Sequence, residues 1–232
     1  MYFKDTFYQL NVQEYTKVNI EYRRDNMPHK RNKENTKQNL ILSARELFIK
    51  DGISSTTIEN IAKNAGYTRG AFYSTFESKN ELIQILMQEE FANLVQAYSH
   101  NLFETTKTNT ERLEPEQVIE LILTNIPLNL EFHILRTEFY LHAIRTPECT
   151  QPYKDAMRYT KTAFSQILIE YLDKMKLRPT ISMSNLVDTM IATINVTMHN
   201  TILTTDQQEY QAKLAKNLFP KILKATTQNI NE

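Results

Sequence analysis

The chain has 232 residues, 41% apolar and 23% charged, with 27 basic and 27 acidic side chains, which excludes wholesale disorder and allows one or two globular domains. No run approaches the roughly 18 consecutive apolar residues that span a bilayer, and Asp5 and Gln9 interrupt the start where a secretion signal needs an unbroken apolar core, so a cytoplasmic protein with no membrane partner is expected. The single cysteine, Cys149, excludes an intramolecular disulfide and a cysteine-built zinc site, and three glycines with no Asn-Gly or Asp-Gly turn leave little material for β structure, so the fold class expected is all-α.

Residues 1–33 show no period and end in the basic cluster Arg23, Arg24, Lys30, Arg31 and Lys33; they read as a basic arm able to lie along phosphates. Met27 directly precedes Pro28, so residues 1–26 also fit an extension set by the choice of start codon, and the sequence leaves that open. Residues 1–80 carry 13 basic and 9 acidic side chains and the remainder 14 and 18, a split that suits two domains with different partners.

The first strong helix is expected over about 34–50, where Leu40, Ile41, Ala44, Leu47 and Phe48 form one apolar stripe, with Gly52 as its left-handed cap. Thr56 and Glu59 have capping-box spacing and open a short helix bearing Ile58, Ile61, Ala62 and Ala65, which Gly66 ends. Thr68 caps a third helix that turns Ala71, Phe72 and Phe76 inward. Ser78 and Glu81 form another capping box, from which a long helix runs to about residue 101. Two short capped helices joined through a glycine turn, with a longer helix packed across them, describe a helix-turn-helix over 57–76, although a plain bundle corner fits the periodicity equally.

The stretch Ile53 to Leu82, ISSTTIENIAKNAGYTRGAFYSTFESKNEL, resembles the N-terminal domain of TetR-family (AcrR-like) transcription regulators, continuously over about residues 36–84. The matches are the Thr-Thr start, the Ile-Ala pair, Ala-Gly-Tyr-Thr at the turn, Gly-Ala-Phe-Tyr and Phe-x-x-Lys-x-x-Leu. The resemblance implies that Thr57, Tyr73 and Lys79 touch the DNA backbone, with Thr68, Arg69, Gly70, Ser74 and Thr75 near base edges. The residue types suit that work. Gly70 has no side chain to hold a helix off the groove, and Arg69 is long enough for a guanine edge or a phosphate. Ser74 and Thr75 stand where many members carry an aromatic residue and then His, which puts the operator sequence in doubt rather than binding itself.

Beyond about residue 102 only helical periodicity remains, with helices expected near 115–127, 129–146, 150–176, 182–203 and 207–228 and a kink at Pro220. The division expected is an arm over 1–33, a DNA-binding domain over 34–94 and a helical effector-binding and dimerisation domain over 95–232. Phe132, His133, Glu138, Phe139, His142, Tyr159 and Phe164 have the mixture expected of a chamber for an apolar or amphipathic effector, though such stripes also suit a core. Glu138 and His142 share a helix face, but no third metal ligand is evident, and neither a metal, a cofactor nor a catalytic constellation is expected. The apolar stripes of the last two helices, with Met190, Ile194, Met198, Leu214, Leu218 and Ile222, fit a core or an interface. The resemblance implies that this helix pair forms a homodimer interface. It further implies a repressor that binds an inverted-repeat operator and is released by a small molecule; a constitutive architectural DNA-binding dimer without ligand control is the alternative.

Overall fold

A computed structural model describes residues 33–108, 129–201 and 217–230, with side chains from 97–108 and 200–201 left aside. The basic arm, the helix expected over 115–127, Leu214 and most of the last expected helix lie outside these residues. In chain order the elements are α1 (Lys33–Asp51), α2 (Ile58–Asn64), α3 (Arg69–Tyr73), α4 (Lys79–Thr108), α5 (Leu130–Arg145), α6 (Pro147–Met175), β1 (Leu177–Pro179), α7 (Met183–Thr201), α8 (Phe219–Thr226) and β2 (Thr227–Asn229).

The helical architecture expected from glycine poverty is present, with one addition. Lys176 adopts a left-handed conformation, φ +56°, as the cap of α6. The chain then runs extended so that β1 pairs antiparallel with β2, Leu177 opposite Asn229 and Pro179 opposite Thr227. Three-residue strands carry no legible alternation, which is why an all-helical reading misses them. They tie the end of α6 to the end of α8.

Two apolar cores share α4. The first gathers Leu40, Ile41, Ala44 and Phe48 of α1, Ile61, Ala62 and Phe72 of the short helices, Phe76 just after α3, and Leu82, Ile83, Leu86, Met87 and Phe91 of α4, closed by Leu135, Phe139 and Ala156 from α5 and α6. The second begins at Leu94 and includes Phe132, Phe164, Ile167, Leu168, Tyr171 and Leu172, with Leu186, Val187, Met190, Ile194 and Met198 of α7 and Phe219 and Leu223 of α8. Each stripe falls at helical spacing, so burying it removes one face of each helix from water at roughly 25 cal/mol per Å².

Some local expectations change. Thr57, not Thr56, caps α2, its hydroxyl accepting from the Asn60 amide at 3.1 Å. Thr56 is buried and donates to the Gly52 carbonyl at 2.8 Å, which removes it from the capping position. The long helix extends to Thr108 rather than stopping near residue 101. Helix α6 begins at Pro147 rather than near residue 150, leaving Pro152 inside its second turn. Pro220 lies in the first turn of α8, directly after a π-helical turn at 217–218, and the preceding part of the helix in which a kink is expected lies outside the described residues.

Candidate nucleic-acid interface

The unit formed by α2, its turn and α3 is built by local rules. At the end of α2, Gly66 takes φ +76°, and the Tyr67 amide donates to the Ala62 carbonyl at 2.8 Å while Gly66 donates to Lys63 at 3.0 Å, the paired bonds of a Schellman cap. Thr68, with extended φ −89° and ψ 161°, then caps α3 by accepting from Ala71 at 3.3 Å. Helix α1 fixes this pair from behind. Ser43 donates to the Ile61 carbonyl at 2.8 Å, Asn64 donates to Ser43 at 3.0 Å, and Asn39 donates to the Tyr67 hydroxyl at 3.0 Å.

Thr57, Thr68, Arg69, Gly70, Tyr73 and Ser74 are all exposed. A Cβ built on Gly70 would meet only the Thr68 hydroxyl, at 3.7 Å, so this side of α3 is bare backbone open to solvent. Tyr73 packs its ring edge-on against buried Phe72, centroids 5.6 Å apart, leaving about half of the residue exposed. The Arg69 guanidinium sits 5.5 Å from the Tyr73 ring centroid, reaches its hydroxyl at 3.4 Å and pairs with Glu59 of α2 at 2.5 Å. The hydrogen bond to Tyr73 and the charge of Glu59 raise its pKa.

The other expected contact residues are placed differently. Helix α3 ends at Tyr73, so Ser74 is its cap and Thr75 lies beyond it, half-buried. Both hydroxyls donate to the Ala71 carbonyl, at 2.8 and 3.0 Å. Lys79 does not project as a free cation; its half-buried ammonium donates to the carbonyls of Ile53 and Thr56, each at 2.9 Å, and burial lowers its pKa.

The residues expected around an effector separate. Phe132 and Phe139 line a narrow crevice with Glu90, Phe91, Leu135 and Arg136, whose enclosed volume is about 10 Å³, little more than room for one water. Drug-sized ligands occupy roughly 300–1,000 Å³. Phe164 is in the second core, and Tyr159 is on the surface at 55% exposure, the outward side of an amphipathic helix. His133 faces His199, ring centroids 6.0 Å apart, and burial followed by Arg136 and His199 lowers its pKa. Glu138 and His142 do share a face, but that face meets the loop before α2 and the start of α4. Glu138 accepts the Ile53 amide at 2.7 Å, and His142 Nε2 lies 3.0 Å from Asn80 Oδ1. Burial and the Lys79 charge lower the His142 pKa, against Glu148 and Glu138. Among the described residues no three His, Cys, Asp or Glu side chains cluster as metal ligands, and no helix is long and apolar enough to cross a membrane.

Met190, Ile194 and Met198 are at most 4% exposed within this single chain. The apolar stripe of α7 is therefore spent on the chain's own second core, and Leu218 and Ile222 are half-buried against the same cluster. Sequence reasoning also missed Glu59, the partner of Arg69, and Glu138 as a contact of Ile53. Neither follows from spacing, because each depends on how separate elements meet.

Residues 40–85 match the family model for bacterial regulatory proteins of the tetR family. Over 54 residues the chain is 43% identical to the HTH-type transcriptional regulator SrpR of Pseudomonas putida, which covers 23% of this chain and 25% of that protein. The match thus spans about a quarter of the curated relative. The whole fold is similar to solved structures: a transcriptional regulator from Rhodococcus sp. Rha1, with TM-score 0.63 and 16% identity over 82% of this chain and 97% of that one, and SmeT, the repressor of the multidrug efflux pump SmeDEF of Stenotrophomonas maltophilia, with 0.59 and 20% over 84% and 93%.

Proposed function

We propose, from the match of residues 40–85 to the tetR-family model, that the chain is a TetR-family member: a sequence-specific DNA-binding transcriptional regulator of the cytoplasm, a repressor that holds an inverted-repeat operator as a homodimer and is released by a small molecule. The observation that carries the reading is the exposed side of α3, where Arg69, bare Gly70 and Tyr73 stand together behind the capped turn. A major groove about 12 Å wide admits such a helix only if its leading side is free of bulk. Arg69 and Thr68 then face base edges, while Thr57 and Tyr73 contact phosphates. Ser74 and Thr75 contribute as acceptors, their protons being committed to Ala71. Lys79 acts mainly by bracing the loop before α2.

The proposed division at about residue 94 is supported by Phe91 packing in the first core and Leu94 in the second, while Leu135, Phe139 and Ala156 reach back into the first. Since Met190, Ile194 and Met198 are used internally, a dimer would use the outward side of α7: Asn185, Thr189, Ala192 and Val196, spaced four, three and four apart and exposed. Two-fold pairing of this side presents two recognition helices to successive grooves. The effector would enter at the crevice of Phe91, Phe132, Leu135, Arg136 and Phe139, widening it. SmeT, by its description, represses a multidrug efflux pump, which supports testing apolar and amphipathic compounds first.

The narrowness of that crevice favours a second reading, an architectural dimer without ligand control. Selection of bound duplexes from random DNA with the full-length protein, and with an Arg69→Ala, Tyr73→Ala variant, tests the first. An inverted repeat enriched by the wild type and lost by the variant is expected; salt-sensitive binding with no enriched motif would overturn it. Titrating the selected operator complex with amphipathic compounds then separates the ligand-released repressor from the constitutive dimer.

A further inference from the structure

We propose that Glu138 is a positioning residue through which the C-terminal helices set the angle of the DNA-reading unit, and hence the half-site spacing the dimer accepts; this rests on the DNA-binding reading above. One peptide unit region, at Ile53, is held from three directions. Its side chain is buried in the first core at 1% exposure. Its amide donates to Glu138 Oε2 of α5 at 2.7 Å, and its carbonyl accepts from Lys79 of α4 at 2.9 Å, the same ammonium reaching the Thr56 carbonyl at 2.9 Å. Thr57, the N-cap of α2, follows directly, so the clamp fixes the point from which the helix-turn-helix departs.

Gly52 makes the approach feasible. It carries φ +81°, and a Cβ built there would lie 3.3 Å from Glu138 Oε2, so the absent side chain leaves the carboxylate room to reach the next amide. A carboxylate accepting a backbone amide makes a charge-assisted bond, stronger than a neutral one. One turn along α5, His142 Nε2 meets Asn80 Oδ1 at 3.0 Å, and the Asn80 amide donates to Glu148 of α6. At the other end of α5, Glu131 lies 3.5 Å from Arg45 of α1. Helix α5 therefore grips α1, the loop before α2 and the start of α4, with Glu138 in the middle.

In a dimer bound to an inverted repeat, the body of the protein holds two recognition helices about one helical repeat, roughly 34–36 Å, apart. A side chain that fixes the angle between body and reading unit therefore governs spacing, whereas a side chain on α3 governs sequence. The two are separable.

The test uses full-length protein and duplexes carrying the half-sites selected by the wild type, with the spacer lengthened or shortened one base pair at a time. The wild type should prefer one spacing at least tenfold over its neighbours. Glu138→Ala should flatten that preference to within about threefold while leaving the half-site sequence unchanged. Glu138→Gln, whose amide oxygen still accepts from Ile53, should restore most of it. Glu138→Asp keeps the charge but withdraws it by one methylene and should flatten the profile too, which keeps the test open should the alanine variant fail to fold. A sharp wild-type preference retained by every folded Glu138 variant overturns this inference alone. A wild type with no spacing preference overturns it together with the operator reading.

Discussion

At Arg69 two demands compete for one guanidinium. In the free protein it is held by Glu59 and laid against Tyr73, with both members of the ion pair more than half exposed. Exposed pairs of this kind contribute little to stability, so in the proposed function Glu59 matters chiefly as a negative charge beside the surface that would meet phosphates. Glu59→Gln is expected to raise affinity for unrelated duplex DNA several-fold and to blur selectivity at the base pair nearest Arg69. Arg69→Ala should instead weaken the selected operator roughly 10- to 100-fold, the range of a lost base-edge contact. Fluorescence-anisotropy titrations against operator and scrambled duplexes, at two salt concentrations, check both. Equal loss by Arg69→Ala on the two duplexes would assign Arg69 to a phosphate. Elsewhere, where α4 meets the start of α1, the carboxyl of Glu89 is pushed up to about 7 by burial, with Lys37 opposing and Glu90 adding to the rise. A carboxyl whose pKa is raised on folding favours the native state fully below its unfolded value and loses that contribution as pH climbs through about 7. Glu89→Gln should therefore melt a few degrees higher than the wild type at pH 8, the gap closing by pH 5; melts at the two pH values that differ by the same amount would refute the assignment.

Among the elements, the turn between α2 and α3 bears the tightest local requirement. Gly66 is left-handed, but nothing lies within 4 Å of a Cβ built there, so Gly66→Ala meets only backbone strain and no clash. The expected cost is about 1 kcal/mol, visible as a thermal midpoint lowered by roughly 2–4 °C for a chain of this size. This turn was also the most legible part of the sequence, because a left-handed glycine and a Thr cap are each decided within five residues. The swap of Thr56 for Thr57 shows the limit of such reading. Both hydroxyls fit the local pattern, and what assigns the cap is that Thr56 turns inward to the Gly52 carbonyl. Where a side chain answers to a distant element the sequence was mute: Lys79 has the same chemistry whether it faces a phosphate or the Ile53 carbonyl, and only the packing of α4 on the loop decides it. The stripe of α7 was legible as apolar, but an apolar stripe does not say whether its partner is the same chain or another copy.

For the whole molecule, that last ambiguity becomes a question of assembly. A recognition helix of five residues reads few base pairs, and useful selectivity needs two of them held in register. The second core already consumes Met190, Ile194 and Met198, so the dimer proposed above would use what α7 leaves outside, where Val196, 59% exposed, is the largest apolar group. Ala192 is exposed one turn before it, small enough to let a second helix approach closely. A carboxylate at either site would be buried without a partner in a two-fold contact, and in a two-fold contact it appears twice, side by side. Ala192→Asp and Val196→Asp are accordingly expected to sediment as monomers with unchanged helical content. Their binding to the inverted repeat should fall to the level of a single half-site. Variants that remain dimeric and keep full operator affinity would move the interface off this side of α7. The inward stripe would then have no part in assembly, and the contact would have to be sought at the ends of α6 and α8 joined by β1 and β2.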